Sequence, residues 1–234
     1  MINVDADEIA KFEALAHRWW DTDGDFKPLH DINGPRLDYI KRRTDVVFEE
    51  SRTLDVGCGG GLVTEAFADL GADVTGVDAG EAPLAVARLH AAERGIEGID
   101  YVRATAETFL ETDPGEFDVV TCLETLEHVP DVDSTVAALA ALAAPGGDVF
   151  LATINRTPKA FALAIVGAEY VLNILPKGTH HYEKLVRPSE LARACRAAGL
   201  DVLDITGVSY NPFTRRCRFV NDVGVNYMMH ARKG

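Results

Sequence analysis

Apolar and polar residues follow a helical spacing in the N-terminal part of the chain. Apolar side chains recur every three to four positions across residues 9–20, which predicts a helix capped by Asp5 or Asp7. A second helix is predicted over residues 35–44, because Pro35 suits the first turn of a helix. An acidic, glycine-containing run separates the two. We therefore expect a helical extension ahead of the main fold.

From residue 52 onward, short apolar runs alternate with longer amphipathic stretches. The runs cover residues 53–56, 73–77, 99–102, 117–122 and 148–153, and the stretches cover residues 62–70, 83–94 and 132–142. This alternation predicts βαβ units and a doubly wound α/β fold, in which helices cover both faces of a parallel sheet. Residues 200–206 and 217–220 flank a turn and predict an antiparallel strand pair at one edge of the sheet.

The length of the chain fits one domain, since α/β domains often reach this size. Its predicted parts are N-terminal helices over 1–48, a cofactor-binding core over 52–154, an apolar insertion over 155–187, and a helix with the strand pair over 188–234. Within the insertion, residues 160–176 are nearly all apolar but fall short of the roughly 20 residues that span a bilayer. A buried helix, a lid over an apolar substrate and a membrane-surface element all stay open for this segment.

The charge of the chain limits its partners. The sequence has 37 acidic residues against 23 Lys and Arg, a formal net charge of −14. Such a surface repels phosphates, so nucleic acid is not expected as a partner. The four cysteines form no closely spaced pair, and the first eight residues contain three acids and no base. We therefore expect reduced thiols and a cytoplasmic protein without a signal peptide.

A glycine-rich loop follows the first predicted strand. Gly57 and Gly59 belong to a D-x-G-x-G-x-G pattern, whereas the dinucleotide pattern G-x-G-x-x-G would need glycine where Leu62 stands. The acid of the pattern, Asp55, would repel a diphosphate but tolerate a cationic sulfonium nucleoside. Asp78 follows the second strand, where a carboxylate accepts both ribose hydroxyls of a nucleoside. Together these features predict a site for S-adenosyl-L-methionine.

This arrangement resembles that of class I methyltransferases, which depend on S-adenosylmethionine, over about residues 52–225. The resemblance implies a mostly parallel seven-stranded sheet with one antiparallel edge strand. It also implies that Glu107, after the third strand, lies near the adenine of the cofactor. Leu123, at the end of the fourth strand, is expected to contact the cofactor as well.

A closer resemblance, over about residues 6–230, is to the ubiquinone biosynthesis O-methyltransferases. The motifs that carry it are KFE at 11–13, RWWD at 18–21, FKPLH at 26–30, LETLEHV at 123–129, VGAEY at 166–170 and PKGTH at 176–180. It implies methylation of a hydroxyl of a 2-polyprenyl-6-hydroxyphenol and of 3-demethylubiquinol. It also implies that Arg36 contacts the cofactor, and a guanidinium would pair with the methionine carboxylate.

Methylation of a phenol requires removal of its proton, and three residues after the fourth strand are candidates for that chemistry. If Glu124, Glu127 and His128 are helical, their spacing places them on one face. His128 would act as a general base. Alternatively, the three side chains would hold Mg²⁺ against the catechol oxygens. In a third interpretation, the two glutamates have no chemical role and only stabilise the start of a helix through the helix dipole.

Other functions and partners stay open at this level. A methyltransferase for another small phenolic or lipid acceptor would share the fold. An NAD-binding oxidoreductase and a non-enzymatic subunit that binds S-adenosylmethionine are the alternatives from other classes. A polyprenylated substrate resides in the membrane, so we expect peripheral contact of residues 160–176 with the inner membrane face. An assembly with other quinone-biosynthesis enzymes stays open as a further partner.

Overall fold

The computed structural model describes residues 3–171 and 179–234, and within these it contains one eight-stranded sheet. The strands are β1 (Arg52–Val56), β2 (Asp73–Asp78), β3 (Asp100–Arg103), β4 (Phe117–Leu123), β5 (Ala143–Ile154), β6 (Leu200–Asn211), β7 (Arg216–Val220) and β8 (Asn226–Lys233). Their order across the sheet is β3-β2-β1-β4-β5-β8-β6-β7. The first five are parallel, and β8 runs antiparallel to both neighbours. The predicted doubly wound fold is confirmed.

The C-terminal part of the sheet differs in detail from the expectation. It holds three strands instead of a pair, so the sheet has eight strands instead of seven. The antiparallel strand β8 lies inside the sheet, and β7 forms the edge. Residues 227–231 of β8 are all buried, because helices cover both faces of the sheet at this strand. A strand buried on both faces shows no apolar–polar alternation, and this explains why the sequence did not reveal it.

The helices are α1 (Ala6–Leu15), α2 (Lys27–Arg43), α3 (Leu62–Ala68), α4 (Glu81–Arg94), α5 (Ala106–Leu110), α6 (Val132–Leu142), α7 (Pro158–Ala160) and α8 (Pro188–Ala197). Asp5 caps α1 as predicted, accepting from the backbone N–H groups of Asp7 and Glu8. The second helix was placed wrongly: α2 begins at Lys27, so that Pro28 occupies the first turn and Pro35 lies inside. Burial of one face of α2 outweighs the backbone hydrogen bond lost at Pro35.

Side chains on the two faces of the sheet pack into separate helical layers. Val119 and Val120 are adjacent on β4 and therefore point to opposite faces. Val120 belongs to a buried cluster with Leu139 of α6, and Val119 belongs to another with Ile40 of α2. The carboxyl ends of the parallel strands consequently form one edge between the layers, where α/β proteins bind ligands.

The apolar insertion is described only in part. After α7 the chain continues as a π-helix over Phe161–Val171, in which Ile165 is buried while Phe161 and Leu163 are exposed. The described part is therefore a surface helix rather than a fully buried one. Much of the predicted range 160–176, with most of the motifs at 166–170 and 176–180, lies outside the residues or side chains described. Among the described helices, none is long and apolar enough to cross a bilayer.

Candidate functional site

The glycine loop leaves the carboxyl end of β1 and turns into α3 with left-handed backbone angles. Gly57 and Gly59 have φ values of 73° and 53°. A Cβ at Gly57 would lie 2.0 Å from Thr125 Oγ1, and one at Gly59 would lie 2.1 Å from the Trp19 ring. The loop therefore needs glycine both for its conformation and for the close approach of its neighbours.

Two tryptophans from the N-terminal extension cover this loop. Trp19 packs over Gly59 and lines the adjoining cavity. Trp20 donates from Nε1 to the carbonyl of Gly60 at 3.0 Å and stacks on His90 with ring centroids 3.4 Å apart. The extension thus forms one wall of the site, a role that the helical spacing of these tryptophans did not distinguish from ordinary core packing.

Beside the loop lies a cavity, here called the inner cavity, at the carboxyl edge of the sheet. Four of the residues predicted to bind the cofactor line it: Gly57, Asp78, Glu107 and Leu123. They come from the ends of β1, β2 and β4 and from the start of α5. The order of strands in the sheet brings these separate segments together.

Asp78 is held at the end of β2 by two backbone groups. Its Oδ2 accepts from the N–H of Gly59 at 2.9 Å, and its Oδ1 accepts from the N–H of Gly80 at 2.8 Å. Burial raises the pKa of this carboxyl, against the effect of both hydrogen bonds. Because each carboxylate oxygen has a second lone pair, Asp78 can still accept two hydroxyl donors facing the inner cavity.

Glu107 is also fixed before any ligand binds. Its Oε1 accepts from Asn3 Nδ2 at 2.8 Å, from Ser134 Oγ at 3.0 Å and from Thr135 Oγ1 at 3.1 Å. Burial opposes ionisation, but the hydrogen bonds from Asn3 and its neighbours outweigh it and lower the pKa of Glu107. An ionised carboxylate therefore faces the inner cavity at the predicted position of the adenine.

Asp55 lies beneath the glycine loop and is not among the residues that line the inner cavity. It accepts hydroxyl hydrogens from Thr64 at 2.7 Å and from Thr121 at 2.8 Å. Burial raises its pKa to about 6. The structure therefore places Asp55 where it acts on a ligand through the loop and through its charge, and not as the surface contact expected from the sequence.

Arg36 pairs with a neighbouring carboxylate, and its contact with the cofactor stays a prediction. It is buried on α2, does not line the inner cavity, and forms an ion pair with Glu124. Glu124 follows β4 with a φ of 54°, a left-handed conformation that is uncommon for a residue with a side chain. Burial raises the pKa of Glu124, and Arg36 opposes that effect. The strained backbone directs Glu124 toward Arg36.

The expected helical face of Glu124, Glu127 and His128 does not form. Residues 126–128 make a single 3-10 turn, and Glu124 lies outside it. The buried Glu127 accepts from Thr153 Oγ1 at 2.6 Å, whereas His128 Nδ1 lies 3.0 Å from Glu8 Oε2. The left-handed residue and the short turn separate Glu124, which pairs with Arg36, from Glu127 and His128, which stay close to each other.

A different set of side chains approaches closely enough to share a metal ion. Glu127, His128 and His180 have potential ligand atoms within 4.8 Å of one another, and in the described part of the chain this is the only such set. His180 replaces Glu124 in it, because Glu124 is paired with Arg36. Two imidazoles and one carboxylate suit a transition metal better than Mg²⁺, which prefers oxygen ligands.

A second, larger cavity, here called the outer cavity, adjoins the inner one and has a volume of about 830 Å³. Its walls are mainly apolar and include Ile32, Leu163 and Phe213. Glu124 and His128 line both cavities. A ligand in the outer cavity would therefore meet a ligand in the inner cavity beside these two polar side chains.

Comparisons with known proteins agree with this geometry. A family model described as a methyltransferase domain matches residues 30–205. The ubiquinone biosynthesis O-methyltransferase of Saccharophagus degradans is 58% identical over 233 residues, which cover 99% of this chain and 98% of that protein. The chain belongs to this family. The O-methyltransferase of the same name from Pseudomonas aeruginosa is 57% identical over 233 residues, covering 100% of this chain and 99% of the relative.

Solved structures of more distant proteins share the fold of this O-methyltransferase. Magnesium protoporphyrin IX methyltransferase from Synechocystis, with bound SAH, superimposes with a TM-score of 0.67 at 17% identity, covering 89% of this chain and 85% of the other. The family assignment makes the chain an enzyme that depends on S-adenosylmethionine. The inner cavity and the glycine loop carry most of the residues predicted to bind the methyl donor.

Proposed function

We propose that this O-methyltransferase methylates a hydroxyl of a 2-polyprenyl-6-hydroxyphenol and of 3-demethylubiquinol. The observation that supports this most directly is the junction of the two cavities at Glu124 and His128. An apolar cavity of about 830 Å³ suits the ring and first isoprenoid units of such a substrate. The names of the relatives at 58% and 57% identity point to the same pathway.

In this proposal His128 removes the phenolic proton. A phenol with a pKa near ~10 is mostly protonated at neutral pH, so a neighbouring base increases the electron density on its oxygen. S-adenosylmethionine, when bound, supplies a methyl group from a positively charged sulfur. The apolar walls of the outer cavity exclude water from the acceptor oxygen, and Glu124 stays neutralised by Arg36.

The test is transfer of labelled methyl groups to a short-chain prenylated catechol by the purified protein. We expect His128→Ala to reduce turnover on the order of 10²- to 10⁴-fold, since a positioned base contributes about that much. Binding of S-adenosylhomocysteine, measured by calorimetry, should change little. His17→Ala, at an exposed position on the N-terminal extension, is the control. Equal losses of turnover and of binding would argue against His128 as the base.

Another acceptor would fit the same fold, and the substrate panel distinguishes it. A small phenol without an isoprenoid chain does not need an apolar cavity of this size. Strong preference for the prenylated catechol over its unprenylated analogue supports the quinone precursor. An NAD-binding oxidoreductase is disfavoured by Leu62 and the buried Asp55, and a purely binding subunit would show no methyl transfer at all.

Dependence on a metal ion is a separate proposal. Because Glu127, His128 and His180 lie together, a metal held there would polarise the acceptor oxygen and would compete with the role of His128 as a base. Mg²⁺ held by Glu124, Glu127 and His128 does not fit, since Glu124 is engaged by Arg36. Activity that survives EDTA and thorough stripping of metal would end the metal proposal.

Contact with a membrane is the last part of the proposed function. Phe161 is 45% exposed, Leu163 55% and Phe213 81%, and the latter two also line the outer cavity. These apolar side chains would reach the bilayer that holds the polyprenyl chain, on the inner membrane face, with or without other quinone-biosynthesis enzymes. Liposome co-sedimentation of Leu163→Ser and Phe213→Ser should fall below that of the unaltered enzyme, and undiminished sedimentation of both would end the idea.

A further inference from the structure

Helix α1 places two side chains against the imidazole of His128. Glu8 Oε2 lies 3.0 Å from Nδ1, and the Phe12 ring packs edge-on with centroids 5.1 Å apart and planes at 85°. The two residues are four apart on α1 and therefore share one face of the helix. A hydrogen bond in the ring plane together with a perpendicular aromatic contact restrains both the position and the rotation of the imidazole.

Glu8 is itself held in place from the opposite side. Lys184 Nζ donates to Glu8 Oε1 at 3.0 Å and to Asp5 Oδ2 at 2.8 Å. Asp5 is the N-cap of α1, so one lysine fixes both the start of the helix and the carboxylate that it carries. Glu8 is buried, with 4% of its surface exposed. Lys184 and Lys11 both form ion pairs with Glu8 Oε1, and two neighbouring ammonium groups favour the charged form of the carboxylate.

An ionised carboxylate accepts hydrogen bonds and donates none. Glu8 therefore favours the His128 tautomer with its proton on Nδ1, which leaves the lone pair on Nε2. We propose that Glu8 is a positioning residue for methyl transfer, which orients His128 and fixes its tautomer so that Nε2 takes the proton of the acceptor. This inference rests on the proposed function and on the role of His128 as the base.

In the step that Glu8 supports, charge and atoms balance. The acceptor hydroxyl gives its proton to His128 Nε2, and its oxygen forms a bond to the methyl carbon. The bond between that carbon and the sulfur breaks, and the sulfur keeps the electron pair, which yields the neutral thioether. His128 becomes an imidazolium cation between Glu8 and the product. The carboxylate 3.0 Å from Nδ1 stabilises this cation, and Lys184 keeps the carboxylate in position.

The competing explanation is that Glu8 only fastens α1 to the rest of the protein. A fastening role predicts that loss of Glu8 affects folding and cofactor binding regardless of His128. A positioning role predicts that the loss disappears once His128 is gone, because residues that act as a unit are non-additive. The two explanations are therefore separable by a double-mutant cycle.

The experiment measures single-turnover methyl transfer to the short-chain prenylated catechol by Glu8→Gln, His128→Ala and the double variant. Glutamine keeps the size of the side chain but removes the charge. Asp7→Asn, an exposed acid in the same turn of α1, is the control for loss of one negative charge. Calorimetry with S-adenosylhomocysteine and thermal unfolding follow each variant. Lys184→Gln is a second, weaker route to the same effect, since it removes one of the two lysines that hold Glu8 without altering Glu8 itself.

We expect Glu8→Gln to lower the transfer rate on the order of ten- to a hundredfold, part of the about 10²- to 10⁴-fold that a base contributes. The affinity for S-adenosylhomocysteine should stay within about threefold, and Glu8→Gln should add nothing in the His128→Ala background. Additive losses, or a rate equal to that of Asp7→Asn, would overturn the inference alone. An unaltered enzyme that does not methylate the catechol would overturn the proposed function together with it.

Discussion

Replacing Asp55 by asparagine should stabilise the cofactor-free enzyme, and the gain should grow with pH. Asp55 is 2% exposed beneath the glycine loop, and its partners are the hydroxyls of Thr64 and Thr121. Asparagine has the same shape, and each hydroxyl can rotate to donate to its oxygen or accept from its nitrogen. The substitution therefore removes the charge and retains the hydrogen bonds.

The magnitude follows from the pKa of Asp55, which burial raises from the ordinary 3.8 to about 6. The folded protein then binds more protons than the unfolded chain between these values, so its stability falls as pH rises through this window. Since a difference of one pH unit between the two pKa values corresponds to about 1.4 kcal/mol, the full loss of stability is about 3 kcal/mol. The same relation gives a loss of about 1.6 kcal/mol at pH 5 and about 3 kcal/mol at pH 8.

Urea unfolding at pH 5 and pH 8 measures this difference. Asp55→Asn should have a higher free energy of unfolding than the unaltered enzyme at both pH values. We expect this difference to be about 1.4 kcal/mol larger at pH 8 than at pH 5. Asp100→Asn, at an exposed position on β3, is the control for loss of one negative charge. Comparing the variant with the unaltered enzyme at each pH cancels the titration of all other groups. A difference that does not change with pH would refute this reasoning.

The other predictions concern the ribose contact and acid stability. Asp78→Ala should weaken binding of S-adenosylhomocysteine on the order of ten- to a hundredfold, because charge-assisted hydrogen bonds contribute about 1.5–3 kcal/mol each; a dissociation constant equal to that of the unaltered enzyme, from a folded variant, would exclude the contact. Asp148 is buried, and although burial opposes it, hydrogen bonds from His230 and Arg232 lower its pKa to about 2. This stabilisation is present above pH 3.8 and is lost as pH falls toward 2. Asp148→Asn should therefore cost about 2 kcal/mol in urea unfolding at pH 7 and less near pH 3, and an equal cost at both would count against the assignment.

The local pattern of the sequence was sufficient for the α/β core and for four of the residues that line the inner cavity. Helix α6 was predicted over residues 132–142, where the structure has it, because its apolar spacing is uninterrupted. The glycine loop was found because chain geometry requires glycine at left-handed positions, and Asp78 because a carboxylate after the second strand suits ribose hydroxyls. Such features depend on residues close together in the sequence.

Tertiary structure decided the features of the fold and of the site that the local sequence pattern did not predict. Packing carries α2 through Pro35, so the helix starts at the earlier Pro28, and burial on both faces concealed β8. Glu124 pairs with Arg36, which lies 88 positions away in the sequence, and therefore does not join Glu127 and His128 as predicted. Glu8 reaches His128 across 120 positions and Lys184 across 176. The spacing of apolar residues along the chain does not reveal contacts over such separations. They form only when the strand order and the N-terminal extension bring distant segments to one edge of the sheet.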